Sequence, residues 1–144
     1  MIESDTIKLL RECDAGVKMG VASIDEVLDS VADNRFQQRL RTCKQKHEEL
    51  DRRIQALLDQ YHDEGKNPDP IAKGMSWMRT NWKLRVDGSD GAIAGVMTDG
   101  CNMGVKSLHK YLNQYEAADE ASKNIAKELI GLEEDLTADI SRYL

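Results

Sequence analysis

From Phe36 to Tyr61 one stripe of residues repeats without a break: Phe36, Leu40, Cys43, His47, Leu50, Ile54, Leu57 and Tyr61. The steps alternate between four and three residues, the period of a helix face packed against other helices. A strand would repeat every second residue, so the stretch predicts a long helix over about 35–62. Every member is apolar or semi-polar except His47, which therefore stands out as a polar group on a buried seam.

Three further stretches show the same period. The first covers about 5–31, with Leu10, Cys13, Val17, Gly20, Ile24, Val27 and Val31 inward and Ser4 or Asp5 as its cap. The third, about 92–116, presents Ile93, Met97, Cys101, Gly104, Leu108, Leu112 and Tyr115. The fourth, about 120–144, presents Ile125, Leu129, Leu132, Leu136, Ile140 and Tyr143. Asp33 and Asp119 mark tight turns, and short turns between long helices make antiparallel pairs. Between the pairs, residues 63–91 carry two breaks, with Pro68, Asp69 and Pro70 opening a shorter amphipathic helix over about 70–86. The expectation is an all-α, antiparallel four-helix bundle in one domain. Hairpin one is 5–62, a long crossover with its short helix is 63–91, and hairpin two is 92–144.

Composition agrees with this. A chain of 144 residues can bury a core without disulfides or metals. Aromatic residues make up only 5%, which argues against a sandwich or barrel. The formal net charge of −6 argues against nucleic-acid binding through a basic surface. Lys73, Arg79, Lys83 and Arg85, beside Trp77 and Trp82, form one basic segment, read here as the outer face of the short helix. No apolar run is long enough for a membrane span, and the polar start Met1-Ile-Glu-Ser-Asp does not read as a signal peptide. The cysteines, Cys13, Cys43 and Cys101, are odd in number, lack CxxC spacing and all fall on apolar seams. They read as small core hydrophobes in a reducing cytoplasm.

The two hairpins resemble each other. Cys13-Asp-Ala-Gly16-Val17-Lys18 matches Cys101-Asn-Met-Gly104-Val105-Lys106 at an offset of 88 residues. Leu50, Ile54 and His47 match Leu136, Ile140 and Glu133 at an offset of 86. Two related hairpins joined by a long connection give the ferritin-like arrangement. The segments 7–20, 46–50, 63–77 and 98–108 also resemble a bacterial family of ferritin-like helical bundles, and most of the chain shares that resemblance. The resemblance implies the fold and no particular activity.

A ferritin-like di-metal centre takes one Glu from each of two helices and a Glu-x-x-His pair from each of the other two. His47 occupies such a histidine position, but Lys44 stands three residues before it. On the last helix Glu133 has Ile130 three residues before it, and the first and third helices offer Gly16, Gly20 and Gly104. A di-iron centre with its full ligand set is therefore not expected. What remains is a polar layer of His47 and Glu133. Either the two bond each other and fix the bundle's register, or they hold one iron, manganese or zinc ion with Glu134 or Cys43, the glycines making room. Asp59-x-x-His62 reads as a solvated helix end, and His109 sits between Lys106 and Lys110, a poor place for a cation. No nucleophile–His–acid order or phosphate loop is present in the sequence. The expected function is binding or assembly without turnover, with a second copy or another protein as partner. The alternative is a metal-binding or redox protein built on His47 and Glu133.

Overall fold

A computed structural model describes residues 4–65 and 88–144. Within them lie four α-helices and no strand: α1 Ser4–Leu28, α2 Asn34–Gln60, α3 Asp90–Gln114 and α4 Glu120–Ile140, closed by a 3-10 turn at Ser141–Tyr143. The expected helix over 70–86 and the basic segment from Lys73 to Arg85 fall outside the described residues.

Local chemistry sets the helix ends. Asp33 Oδ1 accepts from the Phe36 amide at 2.9 Å, Ser89 Oγ from Ala92 at 3.1 Å, and Asp119 Oδ1 from Ser122 at 2.8 Å. Each satisfies an amide that the first helical turn leaves without a partner. At the end of α2, His62 adopts φ 55°, its amide donates to the Asp59 carbonyl, and the Asp63 amide donates to Leu58. That is a Schellman cap with histidine where glycine is usual. The Asp59-x-x-His62 spacing therefore belongs to a helix terminus, and both side chains are exposed.

Long-range ties fix the helix directions. Asp90, at the start of α3, accepts from the Ala32 and Asp33 amides at 2.8 and 2.9 Å, so α3 begins beside the α1–α2 turn. Asp5 and Thr6, at the start of α1, accept from the Ala117 and Asp119 amides in the α3–α4 turn. On the outside of the α2–α4 pair, Arg39 bonds Asp139 and Arg53 bonds Glu128. Thus α1 and α4 run one way and α2 and α3 the other. The end of α2 and the start of α3 lie at opposite ends of the bundle. α1 packs on α2, α3 and α4, and α4 packs on α2 and α3.

The interior splits into two apolar clusters. One contains Ile24, Phe36, Leu40, Ile93, Met97 and Ile140, with Tyr143 stacked on Phe36 at 4.5 Å between ring centres. The other contains Leu9, Leu10, Leu50, Ile54, Leu58, Ile125 and Leu129. Between Cys43 and Leu50 on α2, and between Leu129 and Leu136 on α4, comes the polar layer.

Several details correct the sequence expectation. α1 stops at Leu28, and Val31 is buried from the turn instead. Leu58, not Leu57, is the fully buried residue near the end of α2, and Ile130 is buried more deeply than Leu132. A strict alternation of four and three averages 3.5 residues per turn, whereas a straight helix has 3.6, so the inward stripe drifts toward later residues along a long helix. Helix α4 ends at Ile140 rather than running to 144 because the chain tightens into the 3-10 turn.

Candidate functional site

His47 is 1% exposed and projects from the middle of α2 into the bundle. Its Nδ1 lies 2.8 Å from the Cys43 carbonyl and its Nε2 lies 2.9 Å from Glu133 Oε1. A carbonyl can only accept, so Nδ1 carries a hydrogen and donates it. The Nε2–Glu133 bond then needs one proton, held either as imidazolium against carboxylate or as neutral imidazole against carboxylic acid. Burial works to lower the His47 pKa, but the contacts with Cys43 and Glu133 outweigh it and push it up to about 10. The imidazolium–carboxylate pair is therefore the resting form at neutral pH.

The other two helices close the layer. A Cβ at Gly20 on α1 would fall 2.8 Å from His47 Cδ2 and 2.9 Å from Nε2. No real side chain tolerates that approach, so the imidazole occupies the volume that Gly20 leaves open. At Gly104 on α3 a Cβ would stand 3.9 Å from the Glu133 carboxyl, an ordinary contact. Cys101 on α3 reaches the same carboxyl: its thiol pKa is raised by burial, by the charge of Glu133 and by a hydrogen bond to it. Cys43 Sγ lies 3.5 Å from His47 Nδ1. Gly16 lies further along α1 against Leu129 and takes no part.

The structure thus brings together His47 and Glu133 and adds Cys101. Glu134 points to solvent on the next position of α4, away from this pair. Lys44 pairs with Asp25 at 2.7 Å on the outside, and Ile130 is buried in the apolar core, so neither position can supply the missing carboxylate. These residues do not fit a di-iron centre. Among the described residues, no group of three or more His, Cys, Asp or Glu side chains is arranged to hold a metal ion. His109 is exposed. No described helix is long and apolar enough to cross a membrane.

A second buried polar group escaped the sequence reasoning. Asp14 of α1 has no exposed surface, yet it borders Cys13 on the apolar seam. It had a weak signal, namely its spacing of four from Lys18 on one helical face.

Comparison of the chain with protein-family models, with curated proteins and with solved structures finds no match.

Proposed function

We propose that the protein is a ferritin-like four-helix bundle that works by binding or assembly and carries no di-metal centre. The helix order supports the ferritin-like assignment, because α2 and α3 run in the same direction and their linked ends lie at opposite ends of the bundle. One observation carries the functional part: the imidazole of His47 fills the gap at Gly20, and both its nitrogens are already engaged. The imidazole and the carboxylate satisfy each other inside the bundle. Such a layer fixes helix register, as single polar residues do in coiled coils. The work then falls to the outer surface, with a second copy or another protein as partner. Three unpaired thiols, all buried, fit a reducing cytoplasm.

Metal binding or redox chemistry is the second possibility, and the convergence of Cys43, His47, Cys101 and Glu133 from three helices favours it. Elemental analysis of protein purified without chelators separates the two, combined with sedimentation over a range of concentrations. Metal-free protein that self-associates or captures a protein partner supports assembly. Stoichiometric iron, manganese or zinc that disappears in His47→Ala would overturn it in favour of the metal site.

A further inference from the structure

The fully buried carboxyl of Asp14 is covered by the chain that leaves α2. Asp14 has no exposed surface, and its carboxyl accepts hydrogen bonds from Lys18 Nζ at 2.9 Å and from Gln55 Nε2 at 2.7 Å. Gly65 lies directly over it. A Cβ at Gly65 would stand 2.5 Å from Asp14 Oδ2, an approach that no side chain tolerates. Gly65 also has φ 79°, in the left-handed region that favours glycine. Residue 65 therefore reaches the carboxyl only because it carries no side chain.

This cover is held at the surface. Arg11 of α1 donates to both oxygens of Asp63, with Nε 3.0 Å from Oδ1, and the Gly65 amide donates to the same Oδ1 at 2.9 Å. The Arg11 side chain is 44% exposed, so water and salt screen its pair with Asp63. The backbone is tied by the capping amides of His62 and Asp63, which donate to Asp59 and Leu58. Closing the cover takes water away from the Asp14 carboxyl, a cost that Lys18 and Gln55 offset and that opening reverses. An open space of about 300 Å³ beside Gly65, lined also by Lys8, Arg11, Glu12 and Tyr115, gives the segment room to move.

We propose that residues 62–65 form a salt-sensitive strap that seals the Asp14 carboxyl from water and opens as a unit while the four helices stay folded. Opening breaks the Arg11–Asp63 pair and lifts Gly65 from Asp14, and water takes the place of both contacts. None of residues 62–65 belongs to either apolar cluster, so the cores lose no member when the strap lifts. Local opening therefore demands far less than global unfolding. Rising ionic strength weakens the Arg11–Asp63 attraction and shifts the strap toward its open state.

Hydrogen exchange followed by NMR tests this, with each rate expressed against the intrinsic rate at the same salt concentration. From about 0.05 M to about 1 M sodium chloride, three sites should speed up together: the Asp63 amide, the Gly65 amide and the side-chain amide of Gln55. The expected step is about two- to fivefold, the range for an exposed ion pair, while amides in the middle of α4 stay level. Arg11→Met keeps the aliphatic stem and removes the charge. It should exchange at low salt as fast as the unmodified chain does at high salt, with no further step. Gly65→Ala should hold the strap open at every salt concentration, raising the three rates at least roughly tenfold with α4 unchanged. A flat salt response, a step that survives in Arg11→Met, or three sites that exchange only as fast as the α4 amides would each overturn the strap. So would a Gly65→Ala chain whose three sites stay as protected as before.

Discussion

His47 of α2 and Glu133 of α4 meet at 2.9 Å, and they are also the two residues that the 86-residue offset relates between the hairpins. Because α2 and α4 run antiparallel, the contact sits where the two hairpins face each other at equivalent positions. Two histidines or two glutamates there would repel when charged, whereas one of each shares a proton and attracts.

Breaking the pair from one side should be costly. His47→Ala removes the ring from the gap at Gly20 and leaves the largely buried carboxyl of Glu133 without its partner. A loss of about 3–5 kcal/mol in unfolding free energy is expected from urea denaturation. Glu133→Gln keeps a side chain that can still bond Nε2, so its loss should be smaller, about 1.5–3 kcal/mol, the usual scale of a hydrogen bond to a charged group. Equal losses for the two variants would show that the carboxylate charge contributes more than the filled volume.

The same pair predicts a pH dependence on the alkaline side. Folding raises the His47 pKa from 6.5 to about 10, so the pair's stabilisation is complete below about 6.5 and is lost as pH rises through about 10. Urea midpoints measured from about pH 6 to about pH 10 should fall by an amount equivalent to at least ~2 kcal/mol. In Glu133→Gln most of that slope should disappear. A midpoint that stays constant in the unmodified chain would mean that His47 is neutral throughout.

The glycines give a contrast without changing any charge. Gly20→Ala puts a methyl 2.8 Å from the His47 ring, which is held on both nitrogens and cannot step aside. Overpacking of this kind costs about 1–3 kcal/mol, more than the roughly 1 kcal/mol that alanine gains over glycine inside a helix. Gly104→Ala meets nothing closer than 3.9 Å, so the helix gain should prevail and thermal unfolding should move upward. A Gly20→Ala protein as stable as its parent would dissociate the glycine from the imidazole.

Helix periodicity made most of the bundle legible, because the inward stripe of α2 is long enough to exclude any other period. It also placed His47 on the buried side, since a polar residue inside an unbroken seam has nowhere else to point. The exchange of Leu57 for Leu58 was out of reach, because a stripe read residue by residue does not reveal how far a straight helix drifts. The role of Gly20 stayed open for a different reason. An absent side chain shows that something approaches, and only the neighbouring helix shows that the visitor is the His47 ring. Asp14 was missed entirely. On its own helix it only stands four residues from Lys18. Its bond to Gln55 on α2, at 2.7 Å, depends on the register between α1 and α2, which neither helix carries alone.

The helix cap at His62 yields a separate test of local strain. At φ 55° the residue stands in the left-handed region, where a Cβ is crowded and glycine is not. His62 is exposed, and its backbone amide supplies the capping bond, so the imidazole is not needed there. His62→Gly should stabilise the chain by about 0.5–1 kcal/mol in urea unfolding. A destabilised variant would instead assign the histidine ring a contact of its own.

Thiol reactivity bears most directly on the redox alternative. Burial pushes the Cys13 thiol up to about 12, helped by the neighbouring charges of Glu12 and Asp14, and burial beside Glu133 raises Cys101 as well. Thiolate is the nucleophile, so both groups are poor reactants twice over, by protonation and by lack of access. With a disulfide reagent at about pH 8, the native chain should react at least roughly a hundredfold more slowly than the unfolded chain, because reaction waits on opening of the bundle. Unfolding should release three equivalents, all of them free. One thiol that reacts rapidly in the native state would contradict a sealed layer and turn attention to Cys43 and Cys101 as a redox pair beside His47.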